Sequence, residues 1–217
     1  FYDKYFFSSQ EIDRFTKSNY LEEAYFQKAE SLYSLQRYEQ AVSTYEKMFG
    51  IFKEAKLLPE AHYNLAWAYL RMNKTKEAIA EFEKAKESTD DTNLKVNSLC
   101  RIADTYLDIG DYRKGQEYYD SVLKDYPDSY YGDYAQYKLG ETFLKLDELN
   151  NAILTFKSFT TNFPNSKLMD KVMFQLGNIY YKQGNYELAE QQYNKVVESF
   201  YASGLKDKAL YQAGSSL

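Results

Sequence analysis

The 217-residue chain has little of what most binding chemistry uses: one cysteine, one histidine, one tryptophan and three prolines. A lone Cys100 excludes an intrachain disulfide and a cysteine-rich metal site. A lone His62 excludes a two-histidine zinc site. No stretch approaches the roughly 18 consecutive apolar residues of a membrane-spanning helix. Basic residues are outnumbered 27 to 32, for a net charge of −5 and a pI near 5.1. That is the wrong sign for a general phosphate-backbone binder, so nucleic acid is not an expected partner. The nine glycines form no phosphate-cradling loop.

What is abundant is apolar surface, at 44% of residues, with 24 tyrosines and 14 phenylalanines. A packed fold follows, and scarce proline and glycine favour helix. The chain opens at Phe1 with neither a methionine nor a charged-then-apolar leader, which reads as an upstream segment removed.

Self-similarity organises the rest. Small residues stand at Ala29, Ala66, Ala103, Gly140, Gly177 and Gly214, each 37 residues from the next. A second small column follows at Ala41, Ala78, Gly115, Ala152 and Ala189. Four residues after it comes an aromatic column of Tyr45, Phe82, Tyr119, Phe156 and Tyr193. These are helix spacings. Turn signals such as Gly110-Asp111-Tyr112 and Gly184-Asn185-Tyr186 separate the two small columns, so each unit reads helix, tight turn, helix. Where two helices cross closely, a large side chain would hold their backbones apart, and a ring fills the flanking groove.

Two units close on Tyr126-Pro127-Asp128-Ser129 and Phe163-Pro164-Asn165-Ser166, where proline stops one helix and Asp, Asn or Ser can cap the next. Pro59 suits the first turn of a helix. The units run 22–58, 59–95, 96–132, 133–169 and 170–206. Residues 207–217 read as the first helix of a sixth unit or a C-terminal cap. Residues 1–21 read as an N-terminal cap, with a capping box at Ser8-Ser9-Gln10-Glu11.

The stretch Leu176-Gly177-Asn178-Ile179-Tyr180-Tyr181-Lys182-Gln183-Gly184-Asn185-Tyr186-Glu187-Leu188-Ala189, followed by Tyr193, resembles the tetratricopeptide repeat (TPR). The likeness covers about nine-tenths of the chain. It departs in its 37-residue period, against the usual roughly 34. Tryptophan is also missing from the early-helix position (Tyr25, His62, Leu99, Gln136, Met173), and Lys28 stands in place of a core leucine. The lengthened joints are similar to those of bacterial cell-envelope TPR proteins, the BamD-like outer-membrane assembly lipoproteins and the Tol-Pal coordinator family.

The resemblance implies an all-α, right-handed superhelical solenoid of antiparallel helix pairs whose first helices line a concave wall. The wall column then reads Phe26, Tyr63, Cys100, Tyr137, Phe174 and Tyr211, with Glu30, Trp67, Asp104, Glu141, Asn178 and Ser215 four residues on. Rings with polar neighbours suit a peptide or helix whose apolar side chains insert between them, and Trp67 is the expected anchor. Packing between repeats is the competing role for the same rings. Tyr126, Tyr130, Tyr131 and Tyr134 cluster at the third joint, as a stacking surface or as joint packing. Charge shifts from Glu23, Glu30, Glu60, Asp104 and Asp108 toward Lys138, Lys145, Lys171 and Lys182, which would orient a partner or simply solvate the wall. Phe26 and Glu30 hold the places where a chaperone-tail clamp has lysine and asparagine, which disfavours that ligand.

Catalysis finds little support, and an enzyme would require an active domain outside these residues. His62 has no serine or cysteine partner at motif spacing, and Cys100 reads as small apolar packing. Acidic pairs such as Asp90-Asp91 and Glu22-Glu23 lack metal-loop spacing. The expectation is a non-catalytic protein-binding scaffold without metal or cofactor, periplasmic or outer-membrane-associated and compatible with a lipid anchor upstream. Self-association through the end at residues 207–217 fits the incomplete sixth unit. A glycan or small apolar ligand on the rings is the alternative.

Overall fold

The repeated columns become helix pairs. The computed structural model describes residues 19–200 and 202–216. Among these it contains eleven α-helices and no strands: α1 (Asn19–Ser34), α2 (Tyr38–Ile51), α3 (Leu58–Arg71), α4 (Thr75–Glu87), α5 (Thr92–Asp108), α6 (Tyr112–Asp125), α7 (Gly132–Lys145), α8 (Leu149–Asn162), α9 (Met169–Lys182), α10 (Tyr186–Ser199) and α11 (Lys206–Gly214). The capping box at Ser8–Glu11 lies outside the described residues. The chain forms two units, residues 1–102 and 103–217, the division falling inside α5.

In the first unit α1 packs on α2, α2 on α3 and α3 on α4. Ala29, Tyr45, Met48, Ala61, Leu65 and Ala68 form its core. In the second unit α7 packs on α8, α8 on α9, α9 on α10 and α10 on α11. The aromatic column is the interlock in both. Tyr45, Phe82, Tyr119, Phe156 and Tyr193 are all at most 1% exposed. A Cβ added to Gly140 would lie 2.4 Å from the Phe156 ring, and one on Gly177 would lie 2.6 Å from the Tyr193 ring. Those rings have nowhere to go, so the small columns do set the approach of the helices. Lys28, in place of the core leucine, is exposed.

The tight turns obey a rule wider than glycine. Left-handed backbone occurs at Gln36 (φ 59°), Asn73 (58°), Gly110 (83°), Asp147 (58°) and Gly184 (75°), again 37 residues apart. The same bond closes each turn, for example Arg37 N–H to Leu32 O and Asn185 N–H to Tyr180 O, both 2.9 Å. It spans five residues and satisfies a carbonyl that the helix end leaves open.

The joints depart from the expected capping. Neither Tyr131, before α7, nor Leu168, before α9, caps with its side chain. Ser166 Oγ donates instead to Asp133 Oδ2 (2.6 Å) and accepts from Leu168 N–H (3.1 Å). Ser203 repeats this with Asp170 and Leu205 at the same distances. The serine fastens the joint to the start of the preceding unit's first helix. In the first unit, Glu22 does a related job by accepting Leu57 N–H at 2.5 Å.

Candidate functional site

Four of the wall rings lean on the buried ring of their own helix pair. Centroids lie 6.3 Å apart for Phe26 and Tyr45, 5.2 Å for Tyr63 and Phe82, 6.0 Å for Tyr137 and Phe156, and 5.6 Å for Phe174 and Tyr193. Phe26, Tyr63 and Phe174 stay half-buried, with area left for a ligand. Two members of the column differ. Cys100 is fully buried and Tyr137 is 9% exposed, so in this structure both are packing and neither presents a groove surface. Tyr211 in α11 is 74% exposed. Gly214 beside it has nothing within reach of an added Cβ.

The polar neighbours have an internal duty that reading the columns separately misses. Tyr45 Oη donates to Glu30, Tyr119 Oη to Asp104 (2.5 Å) and Tyr193 Oη to Asn178 (2.9 Å), each across 15 residues. Where the buried ring is Phe, the partner changes. Trp67 meets Phe82 edge-on at 6.0 Å, and Glu141 accepts from Tyr137 Oη (2.8 Å) and Lys138 Nζ (3.2 Å). The signal was present in the residue pairs: each column tyrosine has a polar acceptor 15 residues earlier.

Burial raises three of these phenols above their ordinary range. Burial, then the hydrogen bond and charge of Glu30, push Tyr45 far above the usual phenol range. Burial followed by Glu141 does the same to Tyr137. Tyr193 is pushed up to about 12, mainly by burial. His62 is a joint residue: it stacks 4.1 Å from the Phe49 ring, and its Nδ1 lies 2.6 Å from Glu81 Oε2. Burial would raise Glu81, but hydrogen bonds with His62 and Lys84 hold its carboxyl below the usual range.

Two hollows open on these surfaces. In the first unit a space of about 320 Å³ is lined by Glu30, Tyr33, Asn64, Trp67 and Arg71. In the second unit a space of about 600 Å³ brings Lys138, Glu141 and Lys145 together with Asp108, Tyr112 and Gln175. Lys138 and Lys145 therefore share a site. Lys182 pairs with Asp147 at 2.8 Å, and Lys171 is exposed. At the third joint Tyr130 is 86% exposed and meets Tyr131 edge-on, while Tyr134 Oη is held by both Asp104 oxygens at 2.8 Å. No metal-holding cluster and no helix long and apolar enough to cross a membrane occurs among the described residues.

Comparison with known proteins places this geometry. The tetratricopeptide repeat family matches residues 20–90, and the YfiO family, described as outer membrane lipoprotein, matches residues 92–203, just over half of the chain. The chain belongs to the YfiO outer membrane lipoprotein family. TPR and YfiO proteins are generally non-catalytic scaffolds, and the TPR fold implies protein partners. The sequence matches no curated protein.

Solved structures agree on the fold of this YfiO-family chain. A tetratricopeptide repeat protein from Parabacteroides merdae ATCC 43184 is 16% identical with a TM-score of 0.70, over 89% of this chain and 73% of that one. PilW, a widely conserved type IV pilus biogenesis factor, is 19% identical with a TM-score of 0.67, over 93% and 89%. YrrB, a TPR protein with an unusual peptide-binding site, is 19% identical with a TM-score of 0.62, over 86% and 90%. At such identities the likeness speaks for the helical repeat fold alone.

Proposed function

We propose that this protein is a non-catalytic scaffold that holds a segment of a partner protein against the rings of its first helices, in assembly work at the bacterial envelope. The carrying observation is that Phe26, Tyr63 and Trp67, all in the first unit, keep accessible ring area while their inner edges are pinned by buried rings. Rings fixed in this way lose little freedom on binding, so apolar contact with them translates efficiently into affinity. Membership of an outer membrane lipoprotein family supports a periplasmic or membrane-associated location and a lipid anchor attached upstream.

A pull-down from envelope and cytosolic extracts tests this, with wild type, Trp67→Phe and Trp67→Ala as baits matched for melting temperature. A partner kept by Trp67→Phe and lost by Trp67→Ala is the expected result. Partners captured equally by all three baits would overturn the reading.

A further inference from the structure

Trp67 and Arg71 are four residues apart on α3, on one face of the helix and about one turn from each other. Both are held in place before any ligand arrives. Phe82 and Tyr63 meet the indole edge-on at 6.0 and 6.5 Å, and the Arg101 guanidinium lies 5.9 Å from its ring centre. Arg71 Nε donates to Tyr33 Oη across from α1 at 3.3 Å, although Arg71 itself is exposed. The other charge lining the hollow, Glu30, already accepts from Tyr45 Oη.

We infer that this hollow selects an acidic segment: one carboxylate paired with Arg71 and one large apolar side chain laid on Trp67. The inference rests on the groove reading above and sharpens it. A guanidinium whose Nε is already anchored presents the rest of its planar fork to a carboxylate at low ordering cost. Trp67 a turn away fixes where the apolar side chain must be. That separation corresponds to residues two apart in an extended segment or four apart in a helical one. Glu30 orients the segment by accepting one of its backbone N–H groups, and it repels a second acid placed there.

A displayed library of random twelve-residue peptides, selected against the full 217-residue chain, tests this directly. With wild type, the enriched sequences carry Asp or Glu two or four residues from Leu, Ile, Phe or Met. With Arg71→Gln as bait that acidic preference disappears, and with Arg71→Lys it returns in part. Trp67 is the only tryptophan, so its emission reports binding at this hollow. The best peptide should shift that emission and bind Arg71→Gln, or bind as its own Glu→Gln version, at least tenfold more weakly. Enriched sequences without an acid, still dependent on Trp67, would overturn the inference and leave the groove reading standing. Failure of any sequence to enrich would overturn both. Circular dichroism melts of the Arg71 variants show that folding is intact.

Discussion

The two units use one plan with different materials. In residues 1–102 the close crossings are made by Ala29 and Ala66, and the turns by Gln36 and Asn73. In residues 103–217 glycine takes most of these jobs, at Gly140 and Gly177 in the crossings and at Gly110 and Gly184 in the turns. The buried rings lie at most 1% exposed in both units. The plan therefore resides in the spacing and the rings, and glycine is one local means of meeting it. Substitutions that exchange the two chemistries should cost different amounts in the two units.

The largest effect belongs to the crossings. At Gly140 the nearest three atoms to an added Cβ are all in the Phe156 ring, at 2.4 to 2.9 Å, and that ring is fully buried. Gly140→Ala should destabilise the protein by about 1–3 kcal/mol through overpacking. Ala66→Gly in the first unit removes only one methyl and should cost about 1 kcal/mol, mostly from helix propensity. Denaturant midpoints of the two variants make the comparison. Equal costs would mean that the second unit is packed no more tightly at its crossings than the first.

Much of this was legible in the sequence because a repeat displays the same constraint five times. The small and aromatic columns, the helix pairs and the left-handed Gly110 and Gly184 follow from spacing. Gln36 escaped because glutamine does not announce a left-handed turn, and Asn73 and Asp147 because Asn and Asp, although they adopt that backbone more readily than other non-glycine residues, are also common caps and surface residues; the 37-residue register with the glycines reveals all three. The site was harder to read. Spacing puts Cys100 and Tyr137 in the same column as Phe26 and Tyr63, but how far each side chain sinks is set by neighbours on other helices, which no single column records. The Tyr45, Tyr119 and Tyr193 hydroxyl bonds could have been found by comparing columns in pairs.

The turns provide a second test of the contrast. Left-handed backbone costs an ordinary residue roughly 1–2 kcal/mol more than glycine, part of which is offset because glycine loses more freedom on folding. Gln36→Gly should thus raise stability by about 0.5–1 kcal/mol, and Gly184→Ala should lower it by a similar amount. Thermal melts resolve shifts of this size, and a fall in stability for Gln36→Gly would show that the glutamine side chain contributes a contact outweighing its backbone strain.

The finest contrast lies within one repeated serine. Ser166 and Ser203 each donate to an acid 33 residues earlier, Asp133 and Asp170. The corresponding position for Ser129 is Val96, and Ser129 Oγ is buried without a hydrogen-bond partner. A buried hydroxyl with no partner forfeits its bonds to water and receives nothing in return. Ser166→Ala should therefore cost about 1–2 kcal/mol, since it also strips a bond from the Asp133 carboxylate. Ser129→Ala should be neutral or slightly stabilising. Urea midpoints of the two variants give the difference directly, and a loss at Ser129 as large as that at Ser166 would mean that its hydroxyl bonds to ordered water. The repeat would then hold its joints by serine in all three places, with a carboxylate in two and water in the third.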